Sequence, residues 1–194
     1  SDGYTDKKPI VFYGSSITQG GCASRPGNSY QALISRRFNI DYFNFGFSGN
    51  ALGEKTMADY IAALPMSLFF LDFDHNSPNA EHLKAHHESF FLNIREKNPD
   101  LPVIMATKTD IPRSPAAEKS NAAHREVVYE TYENAVKRGD RNVIFIDGAT
   151  VFSKALTLSA PADSCTVDGC HPNDLGFACM AKVFGDAIEK MLGL

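Results

Sequence analysis

The chain is expected to fold as an α/β protein, a three-layer αβα sandwich built on a five-stranded parallel sheet. Three observations predict this. Five short apolar or aromatic runs recur along the 194 residues, they alternate with segments of helical spacing, and several stop abruptly in Gly, Ser, Asn or Asp. Strands that alternate with helices read as βαβ units, which need parallel pairing and helices on both faces of the sheet. Right-handed crossovers then make double winding the economical topology. Ligands bind such sheets beyond the carboxyl ends of the strands, so the turns at 14–21, 46–50, 74–78 and 108–115 should converge at one rim.

The first run, Pro9-Ile10-Val11-Phe12-Tyr13, is continuously apolar, as a strand covered on both faces must be. It ends in Gly14-Ser15-Ser16-Ile17-Thr18-Gln19-Gly20-Gly21, whose small residues let backbone N–H groups face a ligand or a reacting oxygen. Tyr30, Leu33, Ile34 and Phe38 follow at helical spacing, with Asn28 or Ser29 as the cap. Residues 41–45 give an aromatic second strand that stops at Gly46-Phe47-Ser48-Gly49-Asn50. A short helix over 54–64 closes before Pro65. Residues 67–73 form the third strand, and Asp74-His75-Asn76-Ser77-Pro78 the turn after it. A long amphipathic helix over 79–97 stops at Asn98-Pro99, because the residue before a proline is pushed out of the helical region. The fourth strand, 102–107, leads into a polar loop at 108–115 that holds Arg113. Residues 116–137 are helical in composition with Gly139 placed as a C-cap, and 142–147 is the fifth strand. The stretch 149–170 shows no clear period beyond one helical turn near 151–156. A last helix runs from 172 or 174 to 192.

Composition narrows the classes of function. At 43% apolar and 22% charged residues the chain matches an ordinary globular protein, and its length is that of one domain, residues 1–194. A start so close before the first strand fits a chain trimmed from a longer secreted or multidomain protein. The net charge of −4 and the lack of a basic stripe argue against nucleic acid as partner. No run of about 18 apolar residues is present to span a membrane, and residues 1–4 do not resemble a signal peptide. The expected partner is a small molecule, and the sequence leaves the oligomeric state open.

The most informative short pattern is Asp168-Gly169-Cys170-His171-Pro172. An acid and a His three residues apart across a tight turn can meet, so the carboxylate can hold Nδ1–H and leave Nε2 as a base. Taken alone, the pattern equally describes a turn-capping Asp beside a surface His. Its meaning changes with the hydroxyl-rich turn after the first strand, because a nucleophile needs a base and the base needs an orienting group. On the residues alone, Ser15 and Ser16 both qualify as that nucleophile.

Gly14-Ser15-Ser16-Ile17-Thr18-Gln19-Gly20 resembles the first block of the SGNH (GDSL-type) esterases, with Ser15 in place of the usual Asp and Ser16 in the nucleophile position. Gly46-Phe47-Ser48-Gly49-Asn50 resembles their second block, and Asp168-Gly169-Cys170-His171-Pro172 matches their final Asp-x-x-His-Pro block. The third block, usually Gly-x-Asn-Asp, stands here as Asp74-His75-Asn76-Ser77, so Asn76 alone is shared. The blocks occur in family order from residue 14 to residue 172. The resemblance implies a flavodoxin-like sandwich and hydrolysis of a carboxylic ester without metal or organic cofactor. It implies Ser16 as nucleophile, His171 as general base and acid, Asp168 as its orienting carboxylate, and an oxyanion hole from the N–H groups of Ser16 and Gly49 and the amide of Asn76. Ser15 becomes a turn-forming residue.

Other features take simpler readings. His82 and His86 have zinc-like i, i+4 spacing but no companion Glu or third ligand, so they read as a solvated helix face. His75 and Arg25 are open between a cleft role and plain surface. Cys22, Cys165, Cys170 and Cys179 fit no zinc spacing and read first as small hydrophobes. If the esterase assignment holds, Cys22 and Cys165 lie on loops at one end of the sheet, and a disulfide between them would point to an extracytoplasmic, oxidising compartment. The polar rim residues Arg25, Asn50 and Arg113 tilt the substrate toward an acetyl or other short acyl ester of a carbohydrate or similar small molecule. The alternatives are a flavin- or nucleotide-binding module using the 14–21 turn, and a catalytically silent interaction domain.

Overall fold

The apolar runs become five parallel strands, β1 (Ile10–Gly14), β2 (Tyr42–Gly46), β3 (Leu68–Asp72), β4 (Val103–Ala106) and β5 (Val143–Ile146), in a computed structural model that describes residues 3–5, 7–156 and 161–194. They lie in the order β2-β1-β3-β4-β5. The chain moves outward from β1 to β2 and then crosses back to β3. The winding therefore reverses beside β1, which opens a crevice at the carboxyl ends of these strands.

Among the described residues seven helices surround the sheet: α1 (Ser16–Gln19), α2 (Tyr30–Phe38), α3 (Lys55–Ala62), α4 (Ala80–Lys97), α5 (Pro115–Lys137), α6 (Val151–Ala155) and α7 (Asp174–Leu192). The two-residue alternation of each strand divides the core. Val11, Tyr13, Phe69, Leu71, Val103 and Met105 pack against α3, α4 and α5, whereas Ile10, Phe12, Leu68, Phe70 and Ile104 pack against α2, α6 and α7. Aromatic side chains fill both layers: Tyr13 stacks on Phe90 at 4.7 Å, and Phe70 meets Phe184 at 4.9 Å. This is the three-layer α/β architecture that the alternation of runs predicts.

Register places the functional turns side by side. Gly14 is level with Gly46 on one side and with Asp72 on the other. Both glycines are sterically required: a Cβ at Gly14 would lie 2.1 Å from Thr18 Oγ1 and Asp72 Oδ1, and one at Gly46 would lie 2.1 Å from the Gln19 nitrogen. The missing side chains let α1 settle directly on the strand ends.

Some local expectations shift. The turn after β1 contains a complete helical turn, α1, closed by Gly20 at φ 91°. Ser29 precedes α2 but its side chain makes no capping bond, and the 54–64 helix is shorter, Lys55–Ala62. The last helix begins at Asp174 because the Asn173 side chain caps it by accepting the Gly176 N–H. Of the irregular stretch 149–170, residues 157–160 lie outside the described residues, as do 1, 2 and 6; the rest holds α6 and the 3-10 turn Ala162–Cys165. Among the described residues, no helix is long and apolar enough to cross a membrane.

The Cys22–Cys165 disulfide is not formed; all four thiols are free. Cys22 does line a surface hollow with Ser164, as adjacent loops require, but Cys165 turns the other way. It is fully buried in the core beneath α7, with its thiol against Cys179. Thiol titration of the unreduced protein in denaturant should accordingly give four groups per chain, and a value of two would contradict this packing.

Candidate active site

The turn after β1 assigns different work to its two serines. Ser15 is buried, and its Oγ accepts the Ile17 N–H at 3.2 Å, capping α1 as the Asp of the related motif could. Ser16, the first residue of α1, is half-buried, with Oγ 3.0 Å from His171 Nε2. Of the two serines, Ser16 alone turns its Oγ toward an imidazole.

The loop carrying His171 is folded by the carboxylate beside it. Asp168 Oδ1 accepts the backbone N–H groups of Cys170 at 2.8 Å and His171 at 2.7 Å, while Oδ2 lies 2.7 Å from His171 Nδ1. Gly169 takes φ 91°, and Val167 N–H bonds back to the His171 carbonyl. The His171 backbone N–H, followed by its imidazole, holds the Asp168 carboxyl down at about 2. An ionised acceptor at Nδ1 keeps the proton there, which leaves Nε2 as acceptor toward Ser16 Oγ–H.

Three groups remain for an oxyanion. The backbone N–H groups of Ser16 and Gly49 meet no acceptor among the described residues. Gly49 sits at φ 70° with open space where a Cβ would be. Asn76 Nδ2 spends one hydrogen on the Phe47 carbonyl at 2.8 Å, and Phe47 N–H bonds to the Gly14 carbonyl. The loops after β1, β2 and β3 are thus bonded into one rim, with the second amide hydrogen of Asn76 free.

Beneath this rim lies a buried carboxylate that the sequence did not single out. Asp72 accepts Thr18 Oγ1–H at 2.6 Å and the Tyr30 hydroxyl at 2.8 Å, and burial pushes its carboxyl up to about 7. The Thr18 carbonyl in turn accepts from Gln31 and Asn44. One residue of α1 is thereby tied to α2, β2 and β3, which fixes the direction in which Ser16 points. The only signal was an acid closing an otherwise apolar strand.

The divergent third block also has structural content. Asp74, in the position of the usual Gly, is buried and accepts the Lys108 N–H at 3.0 Å, linking the ends of β3 and β4. His75 turns toward Asp110 and Cys170. At the rim, exposed Arg113 packs on the His171 loop, since a Cβ at Gly169 would come within 2.6 Å of its Nε. Asn50 folds its amide onto the Ser48 carbonyl, and Arg25 lies by Asp174. His82 and His86 stack at 4.2 Å, with His86 Nδ1 facing the His82 carbonyl; among the described residues no third donor joins them.

The sequence model of the GDSL-like Lipase/Acylhydrolase family matches residues 7–189. No curated protein matches the chain in sequence. A protein of Bacteroides ovatus assigned as a GDSL-like lipase is 33% identical with a TM-score of 0.85; the alignment covers 100% of this chain and 55% of that one. The salicylyl-acyltransferase SsfX3 of a tetracycline biosynthetic pathway is 24% identical with a TM-score of 0.77, over 96% of this chain and 55% of its own. Axe2, an acetylxylan esterase of Geobacillus stearothermophilus, is 20% identical with a TM-score of 0.68, over 100% and 96%. The last two show the shared fold. The chain spans little more than half the length of the first two structures.

The buried Asp72 yields a pH-dependent stability. Its folded-state pKa of about 7 lies above the usual value near 4, so its stabilising contribution is complete below about pH 4 and is lost as pH rises through 7. Urea unfolding at pH 4.5 and 7.5 should show wild type losing on the order of 2–4 kcal/mol relative to Asp72→Asn across that interval. A pH-independent difference would contradict the assignment.

Proposed function

The chain belongs to the GDSL-like Lipase/Acylhydrolase family, and from that premise we propose that it is a serine esterase acting through Ser16, His171 and Asp168. The observation that carries this reading is the unbroken relay from Ser16 Oγ to His171 Nε2 at 3.0 Å and from His171 Nδ1 to Asp168 Oδ2 at 2.7 Å. Flavin or nucleotide binding, or a silent scaffold role, would leave that relay without purpose.

In the proposed reaction Ser16 Oγ attacks the ester carbonyl carbon while His171 Nε2 takes its proton. Charge moves onto the carbonyl oxygen, which the N–H groups of Ser16 and Gly49 and the free amide hydrogen of Asn76 stabilise. The tetrahedral intermediate collapses as His171 returns the proton to the departing alcohol, leaving an acyl group on Ser16. A water molecule, deprotonated by His171, then attacks the acyl carbon and releases the acid. Asp168 stays ionised throughout and stabilises the imidazolium formed in each half-reaction.

The acyl group is proposed to be short, acetyl above all, on a carbohydrate or comparable small alcohol. The His171 side chain is 32% exposed and that of Asp168 50%, so the relay lies at a shallow surface where a bulky, polar alcohol can approach. Arg113 beside the His171 loop adds a hydrogen-bonding fork at that edge. Carbohydrate esterases are among the structures that share the fold, which admits this substrate class without selecting it.

With an activated nitrophenyl acetate as substrate, Ser16→Ala and His171→Ala should each lower turnover by about 10⁴-fold or more while the far-UV dichroism is unchanged. Asn76→Ala should lower it by about 10²–10³-fold, the usual effect of one oxyanion donor. Full activity in Ser16→Ala would refute the mechanism. Because Asp168 is held near 2, its carboxylate is ionised across the acid-to-neutral range, and Asp168→Asn should lower kcat by about 10⁴-fold. Full activity in Asp168→Asn would contradict the assignment of Asp168 as the orienting carboxylate.

A further inference from the structure

Next to the proposed relay, but outside it, three side chains from three separate loops meet. His75 Nδ1 lies 3.2 Å from Asp110 Oδ1 and 3.8 Å from Cys170 Sγ, and the three donor atoms all fall within 4.8 Å of one another. His75 follows β3, Asp110 follows β4, and Cys170 immediately precedes His171. The His75 side chain is only 10% exposed and that of Asp110 19%. Despite its short distance, the His75–Asp110 contact is misaligned for a hydrogen bond, and Asp110 Oδ1 is buried without any hydrogen-bond partner among the described residues.

We propose that His75, Asp110 and Cys170 form a binding site for a divalent cation of zinc's class, clamping the loop of Asn76 to the loop of His171. The inference rests on these three residues and not on the esterase reading.

The donor set selects the ion. Imidazole nitrogen, thiolate sulfur and carboxylate oxygen together suit a borderline-soft ion, whereas magnesium and calcium take oxygen donors. A tetrahedral zinc with bonds of about 2.0–2.3 Å sets nitrogen and oxygen donors about 3.4 Å apart and nitrogen and sulfur about 3.6 Å apart. The observed 3.2 and 3.8 Å are within a few tenths of an ångström of those edges. Three protein donors leave the fourth position to water.

The cation also answers the orphaned Asp110 oxygen. On binding, the Cys170 S–H bond breaks, the proton passes to water and the sulfur–metal bond forms, with no change in oxidation state. The other candidate pairs lack this convergence: Cys165 and Cys179 are enclosed in the apolar core, and His82 and His86 have no third donor among the described residues.

Cobalt(II) is the probe, because a thiolate ligand gives it an intense charge-transfer band. Protein stripped with chelator and titrated with Co²⁺ should show that band and tetrahedral visible bands, saturating at one ion per chain and erased by Zn²⁺. Cys170→Ser should abolish the charge-transfer band, and His75→Gln and Asp110→Asn should each weaken binding by at least about 10-fold. Cys22→Ser should leave the titration unchanged, and circular dichroism establishes that each variant is folded. The proposal is overturned if wild type shows no charge-transfer band at millimolar Co²⁺, or if the band persists in folded Cys170→Ser. Should Cys170→Ser fail to fold, an undiminished titration in His75→Gln overturns it equally.

Discussion

The close seating of α1 on the ends of β1 and β2 is the constraint on which the rest of the site depends. Gly14 and Gly46 are level in the sheet, and neither could carry a Cβ without driving it into Thr18, Asp72 or the backbone of Gln19. Backbones in a packed interior cannot yield by an ångström or more. A side chain at either position would lift α1 and carry Ser16 away from His171. The two loops that meet there are 155 residues apart in the chain, so the alignment of Ser16 with His171 is a property of the sheet register and not of either loop.

Polar burial completes what the glycines permit. Asp72 is placed under α1 at an electrostatic cost, visible as a carboxyl pushed up to about 7, and the cost is offset by hydroxyl donors from Thr18 and Tyr30. Asp168 is the opposite case, with a pKa near 2 because backbone N–H groups and an imidazole surround it in a half-open setting. The two carboxylates separate the duties of anchoring the turn of Ser16 and orienting the imidazole of His171. Burial decides the first, and hydrogen bonding the second.

The sequence discloses those parts of this arrangement that are local. Short apolar or aromatic runs identify all five strands, and the Asp168–His171 pairing is legible because three residues and a Gly turn suffice to make it. Ser15 and Ser16 cannot be separated by local chemistry; the family resemblance ranks them, and the cap formed by Ser15 supplies the reason. Contacts among residues remote in sequence leave no spacing to read. Asp72 with Thr18 and Tyr30, and His75 with Asp110 and Cys170, appear only once the sheet has assembled. Cys165 illustrates a further limit: the neighbouring Ser164 lines the hollow that holds Cys22, but the apolar demand beneath α7 determines which way the Cys165 thiol turns.

The central claim is that Ser16 is a nucleophile activated by His171 rather than a capping serine near a surface imidazole. Its most direct test is covalent trapping with a fluorophosphonate, followed by peptide mass spectrometry and the rate of labelling in His171→Ala. The account predicts one adduct per chain, located on Ser16, with labelling of His171→Ala slowed by orders of magnitude. An adduct on Ser15, or labelling of Ser16 at an unchanged rate without His171, would contradict it.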